Sequence, residues 1–298
     1  MRGRLGDGVA AALTGFAIVF IVAILATIFG NIIWHGWERF TWEFLTAAPS
    51  HGMTEGGIFP AIFGTVLLVF LMTLFVIPLG VFVAIYFSEY AHRERRLYRW
   101  SRQAVNNLAG VPSIVFGLFG LGFFVQFVGR GVDGAFFGGE LTFGQPAILW
   151  AALTMALLTL PVVIVTVEEA LRAVPQSCRD ASDALGATKS QTVFRVVLPQ
   201  AASGVLTGAI LAVSRGAGEV APILFVGAAY FLPELPTRLN DQFMELGYHV
   251  YVLSTQSPDV EATKPLLYAT VLTLLILTFL LNFTAIALRS RLRTIRGG

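Results

Sequence analysis

The chain has 298 residues, 56% of them hydrophobic and only 13% charged, with a mean hydropathy of +0.75. Soluble domains carry about 25% charged residues, so this composition excludes an ordinary soluble domain and points to an integral membrane protein. The net charge of +2 gives no reason to expect nucleic acid as a partner, and the single Cys178 excludes an intrachain disulfide or a Cys-rich metal site.

A hydrocarbon core about 30 Å thick needs roughly 20 apolar residues as a helix. Six runs meet this length: Val9 to Ile33, Ile58 to Phe87, Val111 to Val128, Pro146 to Val167, Ala201 to Phe231 and Leu266 to Leu288. The expected fold is therefore an all-α integral membrane protein with six transmembrane helices. The first run has a basic flank like a signal peptide, but it outlasts a cleavable apolar region and is expected to stay as a helix. Residues 1–57 hold this helix and the first outer loop, and residues 58–298 form the five-helix core with a cytoplasmic loop at 168–199.

Fifteen Lys and Arg residues outside the spans fall on one side of this topology and four on the other, which places both termini in the cytoplasm. The outer connections, roughly 34 to 57, 129 to 145 and 232 to 265, carry Trp34, Trp37, Trp42, Tyr248 and Tyr251, residue types suited to a membrane interface. The basic run "HRERRLYRWSR" after the second span fits orientation and attraction to lipid head groups. Pro78 and Pro161 lie inside spans, and the glycines of "GVPSIVFGLFGLGFF" suit close helix packing or a bend lining a pathway. Gly204 and Gly208 form a GxxxG packing face.

Nucleotide and catalytic motifs are missing. "GATKS" (Gly186 to Ser190) lacks the glycine that precedes lysine in a phosphate-binding loop, and "GAGEVA" lacks the last glycine and the strand of a dinucleotide fingerprint. The chain should bind no ATP, cofactor or metal. His35, His51, His92 and His249 are scattered over loops and form no ligand set.

The loop after the fourth span reads as two short helices. Pro175 breaks the fourth helix, Ser177 and Asp180 make a capping-box-like start, Ala181, Ala184 and Leu185 give a small apolar face, and Gly186 supplies the cap. A second helix is expected from about Ser190 to Val197, ending before Pro199. A face of small side chains ringed by charge suits docking to a soluble partner.

Asp180, Ala181, Ser182, then Gly186 after three residues, and Val196, Leu198 and Pro199 after nine more, resemble the EAA signature of ABC importer permeases. Asp replaces the signature's Glu, Ser its second Ala and Val its Ile. "PLGVFVAIYFSEYA", "LAGVPSIVFGLF", "SRGAGEVAPILF" and the late "SPD" extend the likeness from about residue 58 onward to the A-type (PstA) permeases of phosphate-specific ABC transporters. The C-type permease shares the EAA loop, but "GEVAPILF" is closer to the A-type pattern.

This resemblance implies the type I ABC importer permease architecture in the inner or plasma membrane. It also implies a half-channel paired with a C-type permease, an ATP-binding cassette ATPase dimer that carries ATP and Mg, and an extracytoplasmic phosphate-binding protein. The EAA loop would be the coupling helix. A sulfate or molybdate importer, and a role in phosphate signalling, remain alternatives.

Arg215 and Glu219 stand four residues apart in the fifth apolar run, where uncompensated charge in lipid costs from about 2.5 kcal/mol upward. As an ion pair they could tie helices together. As a pathway site, Arg215 would offer a planar fork matched to phosphate oxygens, with Glu219 as its partner in the empty state and its competitor for the anion. Gly216 and Gly218 would let an anion approach the backbone.

Overall fold

In the computed structural model the described residues are 2–50, 55–92, 94–257 and 260–296. His51, Arg93, and Pro258 and Asp259 of the "SPD" segment lie outside them. Among the described residues, six helical stretches are long and apolar enough to cross a membrane: Ala10–Arg39, Phe59–Tyr90, Ser113–Phe136, Ile148–Arg172, Lys189–Gly216 and Thr263–Arg291. The predicted six-span all-α architecture is present.

In chain order, α1 (Arg2–Gly36) leads through α2 (Trp42–Thr46) and a small antiparallel ladder, β1 (Pro49–Ser50) with β2 (Glu55–Gly56), into α3 (Phe59–Ile85). A π-helical turn, Tyr86–Tyr90, closes that span, and helix α4 (Arg96–Ala109) follows. The third span is composite: α5 (Ser113–Phe119), a π-helical stretch Gly120–Gly129 and α6 (Arg130–Phe136). Then come α7 (Ile148–Arg172), α8 (Gln176–Ala184), α9 (Lys189–Thr192), α10 (Leu198–Gly216), α11 (Leu246–Thr255) and α12 (Val260–Arg296).

The fourth span, α7, is the centre of the bundle. It is apolar all round, and small residues on its neighbours bring them close, because lipid supplies no hydrophobic drive and packing must do so. A Cβ at Gly204 of α10 would overlap Ala170, and one at Gly208 would touch Val167 and Val163, so the GxxxG pair does form a packing face. A Cβ at Gly80 of α3 would lie 2.5 Å from Val163. By contrast α1 rests chiefly along α12, with Gly36 against the Tyr268 carbonyl. A second apolar cluster, including Phe44, Ile58, Met244, Leu253 and Leu266, joins the outer ends of α2, α3, α11 and α12.

The fifth apolar run departs from expectation. It reaches Phe231 in sequence, but the helix stops at Gly216, and residues 217–218 and 221–227 form turns joined by irregular backbone. Gly216, Gly218 and Pro222 are poor helix continuers, and apolar content alone does not tell a helix from a buried turn. The chain then folds back over the outer end of α7. The Ala147, Ile148 and Leu149 amides donate to the Val226, Asp241 and Leu239 carbonyls at 2.8, 2.9 and 3.1 Å, satisfying groups that a helix start leaves open. Asp133 organises the neighbouring outer loop, accepting from the amides of Thr142, Phe143 and Gly144 at 3.0, 2.8 and 2.7 Å.

Candidate functional site

Two places carry the chemistry: the loop at the inner end of the bundle and the broken end of the fifth span.

At the inner end, α8 contains Asp180, Ala181 and Ser182. Its N-cap is Pro175 without a side-chain cap bond, so the expected Ser177 capping box does not form. The Gln176 amide instead donates to Asp180 Oδ1 at 3.0 Å. The capping box lies one helix later, between Thr188 and Gln191. Gly186 ends α8 as expected, at φ +76°, a conformation that a side chain resists. Its amide donates to Asp183 O, and the Ala187 amide donates to Ser182 O at 3.2 Å, the paired bonds of a Schellman turn.

The second short helix does not end before Pro199. α9 runs through a π-helical turn, Val193–Val197, directly into α10, so Val196, Leu198 and Pro199 sit at the inner end of the fifth span. Pro199 lacks an N–H for a helix bond, and the wider turn before it accommodates that loss. None of the nine residues of α8 is buried, and Leu185 at its tip is 90% exposed. A large apolar side chain held at a tight turn and facing outward is suited to a complementary pocket.

At the broken span, Arg215 is in the last turn of α10 and Glu219 lies beyond the helix end. Arg215 Nε is 3.3 Å from Glu219 Oε1, so the pair forms although the helix does not continue between them. The side chains are 40% and 24% exposed. Among the described residues Glu219 is the recorded partner of the Arg215 side chain, which leaves both terminal amino groups as open donors. A cation in the last turn of a helix is also favoured by the carbonyl dipoles there.

Packing fixes the depth of this pair. A Cβ at Gly216 would lie 2.6 Å from the Met72 methyl and 2.7 Å from its sulfur, and Met72 is near the middle of the second span. The room at Gly216 is thus taken by Met72, whereas Gly218 has open space around it. Ser214 hydrogen-bonds Asn282 of α12, which anchors the helix end from the other side. The following turn packs on the third span, since a Cβ at Gly117 would meet the Pro222 carbonyl at 2.9 Å.

Four acids escape a reading of the sequence: Glu89, Asp133, Glu168 and Glu245. Each lies at a span end or in a connection, where an acidic residue reads as solvated, yet each is buried or paired. Glu168 of α7 pairs with Arg102 of α4 and with Arg172, 2.5 Å away. Glu245 caps α11, accepting from the Tyr248 amide at 2.7 Å, with the Thr65 hydroxyl 3.4 Å away. His249 is buried on α11 rather than in a loop, and neither ring nitrogen has a partner among the described residues.

Burial pushes the Glu245 carboxyl from 4.5 up to about 7, against the pull of the Gly247 and Tyr248 amides and the Thr65 hydroxyl. The unfolded chain therefore releases this proton before the folded one does. Stability falls as pH rises from 4.5 to about 7 and levels off above that. Glu245→Gln stays neutral throughout. It is expected to gain up to about 3 kcal/mol over the native protein above pH 7, and little near pH 4.5, in thermal unfolding of the detergent-solubilised protein.

A bundle with an exposed, capped helical loop at one end and a charged helix break that packs level with the middle of the second span has the form of a transporter permease. The solved alginate ABC transporter, with its pentasaccharide-bound periplasmic protein, has a chain that aligns with a TM-score of 0.67 over 94% of this chain and 93% of that one, at 12% identity. A chain of the inward-facing MetNI methionine ABC transporter aligns at 0.55 over 79% and 94%, at 19% identity. The fold is that of type I ABC importer permeases.

The family model for the binding-protein-dependent transport system inner membrane component matches residues 76–294, and the chain belongs to that family. It is 32% identical over 276 residues to the probable ABC transporter permease protein YqgI of Bacillus subtilis, covering 88% of each chain. It is 34% identical over 232 residues to the phosphate transport system permease protein PstA 1 of Mycobacterium tuberculosis, covering 75% of this chain and 69% of that one. The PstA of Methanocaldococcus jannaschii, described as probable, is 32% identical over 209 residues, covering 70% and 68%.

Proposed function

We propose that the chain is the A-type permease subunit of an ATP-driven importer of inorganic phosphate. It forms half of the pathway, with a C-type permease as the other half, and works with an ATPase dimer and an extracytoplasmic phosphate-binding protein. It binds no ATP or Mg itself. Both termini face the cytoplasm, in line with the fifteen-to-four distribution of basic residues. The EAA loop then faces the ATPase, with Asp180, Ala181, Ser182, Gly186 and the exposed Leu185 as the docking surface, and Val196, Leu198 and Pro199 joining it to the fifth span.

The observation that carries this reading is the helix break packed against Met72, near the middle of the second span, with an Arg whose terminal donors are open. Non-helical backbone at that depth is tolerated only where protein buries it or where it lines a water-filled path. An arginine placed there offers phosphate a planar, two-pronged contact. Glu219 shields that cation when the path is empty and must be displaced when the anion arrives, which prevents binding too tight for release. Gly218 gives the anion room beside the break.

The test is ATP-dependent uptake of radiolabelled phosphate by vesicles carrying the chain with its co-encoded partners. Uptake that an excess of sulfate leaves unchanged is the expected result. Uptake abolished by sulfate would reassign the substrate to another oxyanion, and absence of ATP-dependent phosphate uptake would overturn the assignment.

A further inference from the structure

We infer that the π-helical turn Tyr86–Tyr90 is the receiver through which movement of the coupling helix enters the bundle, with Arg179 and Glu89 as the positioning pair. This rests on the reading of α8 as the ATPase-docking helix. The spans on either side of the loop, α7 and α10, are joined to it by the chain itself. The second span has no such connection, and two non-covalent ties supply one.

The main tie uses the guanidinium of Arg179 on α8. Its Nη2 and Nε meet the two Glu89 oxygens at 2.7 and 3.3 Å. Nη1 donates to the Val174 carbonyl at 2.7 Å, and Nη2 also donates to the Leu171 carbonyl at 2.9 Å. One side chain thus holds three elements: the docking helix, the inner end of α7 and the end of the second span. The pair is only 13% and 9% exposed, so it escapes much of the screening that weakens surface ion pairs. The second tie is Lys189, whose ammonium lies 5.1 Å from the Tyr90 ring centre.

Three features make this contact a linkage rather than a general anchor. No residue of α8 is fully buried and Cys178 is its side chain that packs against the apolar core, so polar ties supply much of its hold on the bundle. A cavity of about 460 Å³, lined by Ser88, Glu89, Arg179, Asp183, Lys189 and Thr192 among others, lies between the loop and the turn and gives the helix room to shift. Finally, the second span leads from Glu89 to Met72, about 25 Å along a helix, and Met72 fills the space at Gly216 beside Arg215. A pull on Glu89 is therefore delivered to the charged helix break along one continuous helical span, which carries Pro78 partway, and through one packed contact.

The experiment uses the assembled transporter, with its partner permease, ATPase and binding protein, in vesicles, and reads phosphate imported per ATP hydrolysed. Glu89→Ala and Arg179→Ala are each expected to lower that ratio by about fivefold or more, the low end of typical coupling between sites. The double variant should be no worse than the poorer single one, because both remove the same link. Should Glu89→Ala not assemble, Glu89→Gln, which keeps one acceptor oxygen, reads the same ratio. An unchanged ratio in the single variants, or losses that simply multiply, overturns the inference and leaves docking untouched. Co-purification of the ATPase separates the two readings: if both Asp180→Lys and Leu185→Asp retain a coupled ATPase, the docking reading fails instead, and the inference falls with it.

Discussion

In vesicles carrying the assembled transporter, Arg215→Ala is expected to lower the initial rate of ATP-driven phosphate uptake about a hundredfold or more, with the complex still present in normal amount. The magnitude follows from two hydrogen bonds to a charged oxyanion, each worth about 1.5 kcal/mol or more. Normal assembly follows from exposure: with side chains 40% and 24% accessible, the Arg215–Glu219 pair contributes little to folding. Arg215→Lys keeps the charge but replaces a two-pronged contact by a point, so it should restore only part of the rate. Uptake near the native rate in Arg215→Ala would return the pair to a purely structural tie.

The parts of this molecule legible in the sequence are those governed by local rules. Six spans follow from run length, and Gly186 was marked as a helix end by the one residue type that adopts its left-handed conformation without strain. The Asp180 to Pro199 spacing marks the loop in the sequence alone. What stayed hidden depends on distant partners. Glu89 meets Arg179 ninety positions away and Glu168 meets Arg102 sixty-six away, and no periodicity announces either pairing. The fifth span differs for a related reason: residues 220 to 231 are apolar where third-span and α7 surfaces cover part of them, and hydropathy does not register whether the covered backbone is helical. The consequence was favourable to the functional reading, since a break beside Arg215 opens donors that an unbroken helix in lipid would have to hide.

Arg102→Ala is expected to cost about 3 kcal/mol, the low end for breaking a buried ion pair, read as thermal unfolding in detergent against the native protein. The reason lies in unequal burial. The Glu168 side chain is 2% exposed, whereas Arg102 is 28% and Arg172 is 40% exposed. Removing Arg102 leaves a carboxylate that cannot reach water. Arg172 alone must then satisfy it, yet Glu168 Oε1 has an ion-pair contact to Arg172 without a well-formed hydrogen bond. Removing the acid instead, as in Glu168→Leu, leaves two cations already open to solvent, so its cost should be smaller. It should be smaller again when Arg102 is also replaced by Leu, because well-packed apolar groups often match a buried pair in stability. Arg102 also lies 5.9 Å from the Phe87 ring centre, within the same π-helical turn that holds Glu89. The order Arg102→Ala worse than Glu168→Leu, with partial recovery in the double variant, would show that Glu168 is shut off from water and that this ion pair holds α4 to α7. The reverse order would mean that water reaches Glu168, and that α4 is not held to α7 by this ion pair.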